Sequence, residues 1–168
     1  TSIRYVYAQS VDANGNINWN EEGVLISAEE LGRQEDPIII SDENGGGFIS
    51  WRSYKNDPTY GELYVQYIDS EGTLSWNEAK LVSGDIKILL NSQQNMCSDR
   101  NGGVYVTWYS DSSIGDGYYY GIHIKPDGSM IGPSILINQA DNYGNVSLES
   151  SGGGDAVIAW KEGTTGNE

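Results

Sequence analysis

The chain reads as an all-β protein: a β-propeller-like stack of four-stranded antiparallel blades, about three repeats long, with half-blades at both ends. Three observations predict it. Markers recur at one period, because Trp51 and Trp108 stand 57 residues apart, as do Trp19 and Trp76, Asp42 and Asp99, and Gly15 and Gly72. Several unrelated markers keeping one spacing indicate duplication. The aromatic and glycine usage, 12 Tyr and 5 Trp against a single Phe with 22 Gly, belongs to strands and tight turns. The apolar runs are short, β-branched or aromatic, and bounded by Gly, Asn, Asp and Ser, as strands of a meander are. A unit of four short strands cannot bury its own apolar face, so copies must stack on one another.

The elements follow in order along the middle repeat. Pro37 to Ser41 is a continuous apolar run, which predicts an innermost strand covered on both faces. The turn "DENGG" leads to a second strand, Gly47 to Trp51, repeated as Val104 to Trp108 and Ala156 to Trp160. Each copy ends in Trp at the same offset from its glycine-rich turn, so the indole is expected to anchor packing between neighbouring units. Leu63 to Asp69 is the third strand, matched by Arg4 to Asp12 and Tyr118 to Lys125, and Thr73 to Trp76 is the fourth. Gly15, Gly72 and Gly128 fall where the hairpin between third and fourth strands needs a left-handed residue. Gly132 replaces the Trp of the other copies, which predicts a short or irregular outer strand there.

Phase divides the single repeat domain. Residues 1–35 make an outer half-blade and loop, 36–92 a complete blade, 93–144 a complete and diverged blade, and 145–168 an inner half-blade. Half-blades expose unpaired strand edges, so pairing with another copy or with a missing part of a parent chain is expected. The chain starts without Met, as would either a mature or excised piece of a longer secreted precursor or a segment with a chosen boundary.

Composition narrows the function classes. The net charge of −15 repels a phosphate backbone, so nucleic acid is not an expected partner. No apolar run reaches the roughly 18 to 20 residues of a membrane span, and no membrane insertion is expected. An acidic surface rich in Gly and Tyr fits a secreted or cell-surface protein. The single cysteine, Cys97, cannot form an intrachain disulfide and aligns with a strand of the preceding repeat, which makes it a core thiol. Its only possible histidine partner is His123, with no third group in sequence to orient the pair.

Aligning "YAQSVDANGNINWNEEGVLIS", "DENGGGFISWRS" and "LYVQYIDSEGTLSWNEAKLVS" shows a Tyr-x-Gln strand, an Asp-x-x-Gly turn, a Trp, and a Gly-Gly strand ending in Trp. In these motifs the chain resembles tandem propeller-type repeats of large bacterial extracellular proteins of unassigned function. The resemblance spans essentially the whole chain and is weaker from Tyr118 onward. It implies a propeller-like fold in a secreted or surface protein. Sialidase repeats differ in spacing, since Asp69 stands three before Gly72 and Trp76 four after it. The arginines are also few: Arg4, Arg33, Arg52 and Arg100.

Three chemistries are open. Asp42-Glu43-Asn44-Gly45 and Asp99-Arg100-Asn101-Gly102 place oxygen side chains as calcium loops do, but the same residues make a plain hairpin turn, and the third copy, "SSGGG", keeps the glycines without the acid. Carboxylate pairs such as Glu21-Glu22, Glu29-Glu30 and Glu35-Asp36 read as solvated loop charges rather than a hydrolytic pair. The third is a ligand-binding rim on the loops between second and third strands, "RSYKNDPTYGE" and "YSDSSIGDGYY", with Arg52, Tyr54, Tyr60, Tyr109, Asp111 and Tyr118 as contact residues. The expected function is therefore a non-catalytic extracellular recognition or scaffold module binding glycan or protein, with no cofactor and no metal. One alternative is a fragment of a propeller-fold glycan-active enzyme, and a second is a structural self-assembling surface protein.

Overall fold

The computed structural model of the chain describes residues 3–27, 32–55, 57–89, 92–111, 117–140 and 146–160. The described residues form strands and turns with no helix, in several antiparallel sheets, none of them closed. None of them, accordingly, makes a helix long and apolar enough to cross a membrane. The chain gathers into two compact units, Thr1–Val82 and Ser83–Glu168.

In the first unit, β1 (Tyr7–Ala8) and β2 (Val24–Leu25) make a two-stranded antiparallel sheet. Then β3 (Arg33–Ser41), β4 (Gly47–Tyr54), β5 (Tyr60–Ile68) and β6 (Lys80–Leu81) lie side by side in chain order. Every residue of β4 is buried, because strands flank it on both sides and the two-stranded sheet covers a face. Trp51 and Ile49 of β4 and Ile68 of β5 form one core cluster with Val6 and Ile26 from the neighbouring sheet. The strand tryptophan thus joins two sheets, as its position in the repeat predicts. Its ring stacks on Tyr64, directly opposite in the ladder, with centroids 6.0 Å apart.

Three details of this unit differ from the sequence expectation. The Pro37–Ser41 run is not covered on both faces, for β3 ends the row and Ile39 is 60% exposed. Thr73–Trp76 is not a strand either: Leu74 makes one isolated bridge with Ile68, and the fourth strand is β6, paired with Tyr64 and Val65. The cause is Gln66, whose Nε2 donates to the Trp76 carbonyl at 3.1 Å. That bond draws the chain off the ladder until Lys80. Gln9, one period earlier, does the same with the Asn20 carbonyl at 2.5 Å. Finally, the rim loop is short, because the β4–β5 ladder runs out to Ser53 opposite Glu62 and absorbs most of the expected loop into strand.

The second unit repeats the plan with the half-sheet last. β7 (Ile88–Leu89) lies against the sheet formed in chain order by β8 (Gln94–Ser98), β9 (Val104–Asp111), β10 (Gly117–Ile124) and β11 (Met130–Ala140). β12 (Val146–Gly152) and β13 (Asp155–Trp160) pair by themselves. Asn95 Nδ2 donates to the Val146 carbonyl at 2.9 Å and the Tyr105 hydroxyl to the Gly154 carbonyl at 2.8 Å, tying the two sheets together. Trp108 stacks on Tyr120 at 5.9 Å, the counterpart of Trp51 on Tyr64. The outer strand carrying Gly132 is irregular as expected but not short. It spans 11 residues, with register shifts between Tyr119 and Tyr120 and between Gly121 and His123. Bulges absorb the misfit and let the ladder continue.

The hairpin glycines separate two effects. Gly15 and Gly72 have φ of 86° and 81°, but a Cβ on Gly72 would come within 2.8 Å of Trp19 Cγ, whereas nothing lies within 4 Å of one on Gly15. Gly15→Ala is expected to cost only the left-handed strain, about 1 to 2 kcal/mol. Gly72→Ala adds overpacking of about 1 to 3 kcal/mol. Urea denaturation of the two variants checks this, and equal losses would mean that the Trp19 contact carries no weight.

Candidate functional site

Each complete sheet has two chemically different ends. At one end lie turns closed by an aspartate folded back on its own backbone. Asp42 Oδ1 accepts from the amides of Asn44 at 2.7 Å and Gly46 at 2.9 Å. Asp99 Oδ1 accepts likewise from Asn101 at 2.7 Å and Gly103 at 2.8 Å. The second oxygens are also engaged, Asp42 Oδ2 by the Tyr67 hydroxyl at 2.6 Å and Asp99 Oδ2 by His123 Nε2 at 2.8 Å. Those partners are held by rings, Phe48 against Tyr67 at 4.8 Å and Tyr105 stacked on His123 at 4.1 Å. The turns considered as calcium loops are thus hairpins locked by hydrogen bonds. Among the described residues no group of three or more His, Cys, Asp or Glu is gathered as a metal would need.

Burial opposes the charge on Asp42, but the Tyr67 hydroxyl and the Asn44 and Gly46 amides outweigh it and hold the carboxyl below its usual range. Asp99 follows the same balance: desolvation is overcome by the Asn101 amide, His123 and the Gly103 amide. Tyr67 is pushed up to about 12, first by burial and then by its bond to Asp42.

At the other end of the first unit's sheet, the start of β3, the end of β4 and the start of β5 bring together an ionic and aromatic cluster. Arg52 is 3% exposed and paired with Asp36. The Arg33 guanidinium lies 4.8 Å from the centroid of the Tyr54 ring, with its Nε 3.6 Å from Glu35. Arg4 reaches the same Glu35 oxygen at 2.5 Å. Desolvation lowers the Arg52 pKa, while Tyr54 and Glu35 pull it back up. Burial raises Tyr54, whose hydroxyl has no hydrogen-bond partner among the described residues. Asp36 holds φ of 51° immediately before Pro37, inside a bulge between Glu35 and Ile38. The left-handed region is costly for any L-residue, and the residue before proline prefers an extended backbone.

The rim residues read from sequence fall into two sets. Arg52 and Tyr54 sit in β4 and are buried, as Tyr109 is in β9. Tyr60 and Tyr118, at the starts of β5 and β10, are half-buried and accessible. Asp111 closes β9 opposite Gly117, while the connecting residues 112–116 lie outside the described residues. Tyr109 packs over Gly117, where a Cβ would collide with the phenol.

Sequence reasoning missed Arg4, Arg33, Glu35 and Asp36 as members of one cluster. Glu35 and Asp36 are strand residues paired with arginines, Glu35 half-buried between Arg4 and Arg33 and Asp36, in the bulge, exposed beside Arg52 of β4. A signal was available: one period on, Leu90, Ser92, Gln93 and Tyr109 stand where Arg33, Glu35, Asp36 and Arg52 would repeat. Glu21 and Glu22 are exposed turn residues, and Glu29 and Glu30 lie outside the described residues. Cys97 is buried and its thiol is pushed up to about 11, chiefly by desolvation and then by Glu149 and Asp99. A thiol held that high is a poor nucleophile near neutral pH.

No family model, curated protein or solved structure matches the chain.

The carboxylate turns set an acid limit on stability. With folded values of Asp42 and Asp99 below the unfolded 3.8, their contribution is fully present above about pH 4 and is lost as pH falls through those lower values. Denaturation midpoints between about pH 7 and pH 2 are expected to fall steeply at the acid end. Asp42→Asn should lower stability at neutral pH and flatten that limb. An unchanged acid slope in the double variant Asp42→Asn, Asp99→Asn would show that other groups govern it. Tyr67→Phe removes one bond to the carboxylate and is expected to cost about 1 kcal/mol.

Proposed function

We propose that this chain is a non-catalytic recognition or scaffold module of propeller-type blades, working outside the cell or at its surface and binding glycan or protein at one rim. The observation that carries the reading is the division of labour along the sheets. Turns and strand tryptophans repeat between copies, whereas the cluster of Arg4, Arg33, Glu35, Asp36, Arg52 and Tyr54 occurs once. A scaffold repeats what folding requires and varies what a ligand reads. Arg4, Asp36 and Arg33 are the reachable members of that cluster and Tyr60 lies beside it, and Tyr118 takes the corresponding place in the second unit. The high pKa of Cys97 and the engaged carboxylates of Asp42 and Asp99 favour binding over turnover.

The propeller arrangement belongs to the same proposal, as does membership among tandem repeats of large bacterial extracellular proteins. The two-stranded sheets support it. Tyr7 is 56% exposed and Trp160 42% exposed, yet one repeat away their counterparts Tyr64 and Trp108 are half-buried and buried, each in a stacked Trp–Tyr pair. Each half-sheet offers one partner of that pair. The expected occupant is the complementary half-sheet of another copy, or of the remainder of a parent chain.

Glycan-array and pull-down assays test the recognition reading with Tyr60→Ala, Arg33→Ala and Tyr118→Ala, which leave the core intact. Tyr54 and Tyr109 are unsuitable because removing them opens the core. Binding lost in these variants without turnover is the expected result, and hydrolysis abolished by a single carboxylate substitution would overturn it. Light scattering tests pairing between copies: a concentration-dependent dimer or larger form is expected, weakened by Trp160→Ser. A monomer at all concentrations would overturn association through a second copy.

A further inference from the structure

Between the two sheets of the first unit lies an open cleft of about 600 Å3, a size typical of small-molecule sites. Leu25 and Ile26 line one wall, and Leu74 and Leu81 contribute apolar surface from the side of the larger sheet. Tyr64 also lines it, fixed by its stacking on Trp51 and by its hydroxyl donating to Glu62 at 3.1 Å. Gln66 is committed, since its amide caps the Trp76 carbonyl and its oxygen accepts from the Tyr67 amide at 2.9 Å.

The polar groups left over are unusual for being adjacent. Asn77 and Glu78 are exposed, line the cleft and have no hydrogen bond or ion pair among the described residues. Ser27 Oγ accepts from the Val6 amide at 3.0 Å, which leaves its O–H free to donate. A carboxamide and a carboxylate side by side supply donors and acceptors for neighbouring hydroxyls, and the apolar walls suit the C–H face of a sugar ring. Charge decides the class further. Among the described residues that line the cleft there is no Lys or Arg, Glu78 contributes an acidic side chain, and the chain as a whole is at −15, which disfavours anionic ligands.

We propose that this cleft between the β1–β2 sheet and the outer edge of the β5–β6 sheet is a binding site for a neutral saccharide, with Asn77 and Glu78 as the hydroxyl-reading residues. The proposal deepens the recognition reading and rests on its glycan branch. It adds a sugar contact in the cleft to the one at the rim.

The whole chain, labelled with 15N, is titrated with cellotetraose, xylotetraose and mannotetraose, and with tetragalacturonate as the anionic comparison. Saturable amide shifts across Leu74–Leu81 are expected with at least one neutral probe and not with tetragalacturonate. Asn77→Ala and Glu78→Ala should each weaken the saturation read at Leu74–Leu81 about tenfold or more, while Asn14→Ala, at an exposed turn outside the cleft lining, leaves it unchanged. Both side chains are exposed, so folding is preserved and circular dichroism verifies it. Absence of saturable shifts with every neutral probe overturns the cleft, as does equal response to tetragalacturonate. Binding lost in Tyr60→Ala but kept in Asn77→Ala overturns the cleft and leaves the rim reading standing.

Discussion

A carboxylate accepting hydrogen bonds from the amides two and four residues ahead of it is the constraint on which the rest of this structure depends. Asp12, Asp42, Asp69 and Asp99 all do this, at 2.7 to 2.9 Å. In the third copy Lys125 stands where Asp69 does, and its backbone closes the hairpin with Ser129 at 2.9 Å and Gly128 at 2.8 Å, while Asp127 accepts from the Ser129 amide at 2.8 Å. Each closure fixes where a hairpin reverses and therefore which residues face each other across it. In a ladder of period two, a slip of one residue would turn every core side chain to the opposite face. The registers that place Ser41 opposite Gly47 and Ser98 opposite Val104 descend from these turns.

A second backbone substitute acts in both sheets of the first unit. Gln66 and Gln9 reach across to carbonyls that have left the ladder, so a glutamine side chain does what a fourth-strand amide does elsewhere. The freed segment carries Trp19, whose indole donates to the Ser70 carbonyl at 3.1 Å and lies over the Gly72 turn. The edge of one sheet is thus clamped to a turn of the other sheet of the same unit. The same excursion frees Asn77 and Glu78 from the ladder and opens the cleft they line. A device that secures neighbouring sheets thereby also makes room beside them.

The partners of the buried aspartates show how the copies diverge while the geometry persists. Asp42 is held by a tyrosine packed on Phe48, and Asp99 by a histidine stacked on Tyr105. In the half-sheet β12–β13 the corresponding turn has glycines and no acid, and the hairpin still forms. The lock therefore adds stability to a turn that glycine already permits.

From the sequence by itself came the all-β class, the period, the positions of the hairpin glycines and the strand tryptophans. Each is a local requirement: a turn needs a given φ, a strand needs alternation, and duplication copies both. Only the tertiary structure decided where strands end. The ladder extended β4 through Tyr54, and Gln66 ended the fourth strand before it could start at Thr73. It also decided that Glu35 and Asp36 meet Arg4, Arg33 and Arg52, and that Tyr54 and Tyr109 are buried. Those outcomes turn on which distant groups a bulge or a neighbouring sheet brings within reach, and spacing along the chain does not encode that distance.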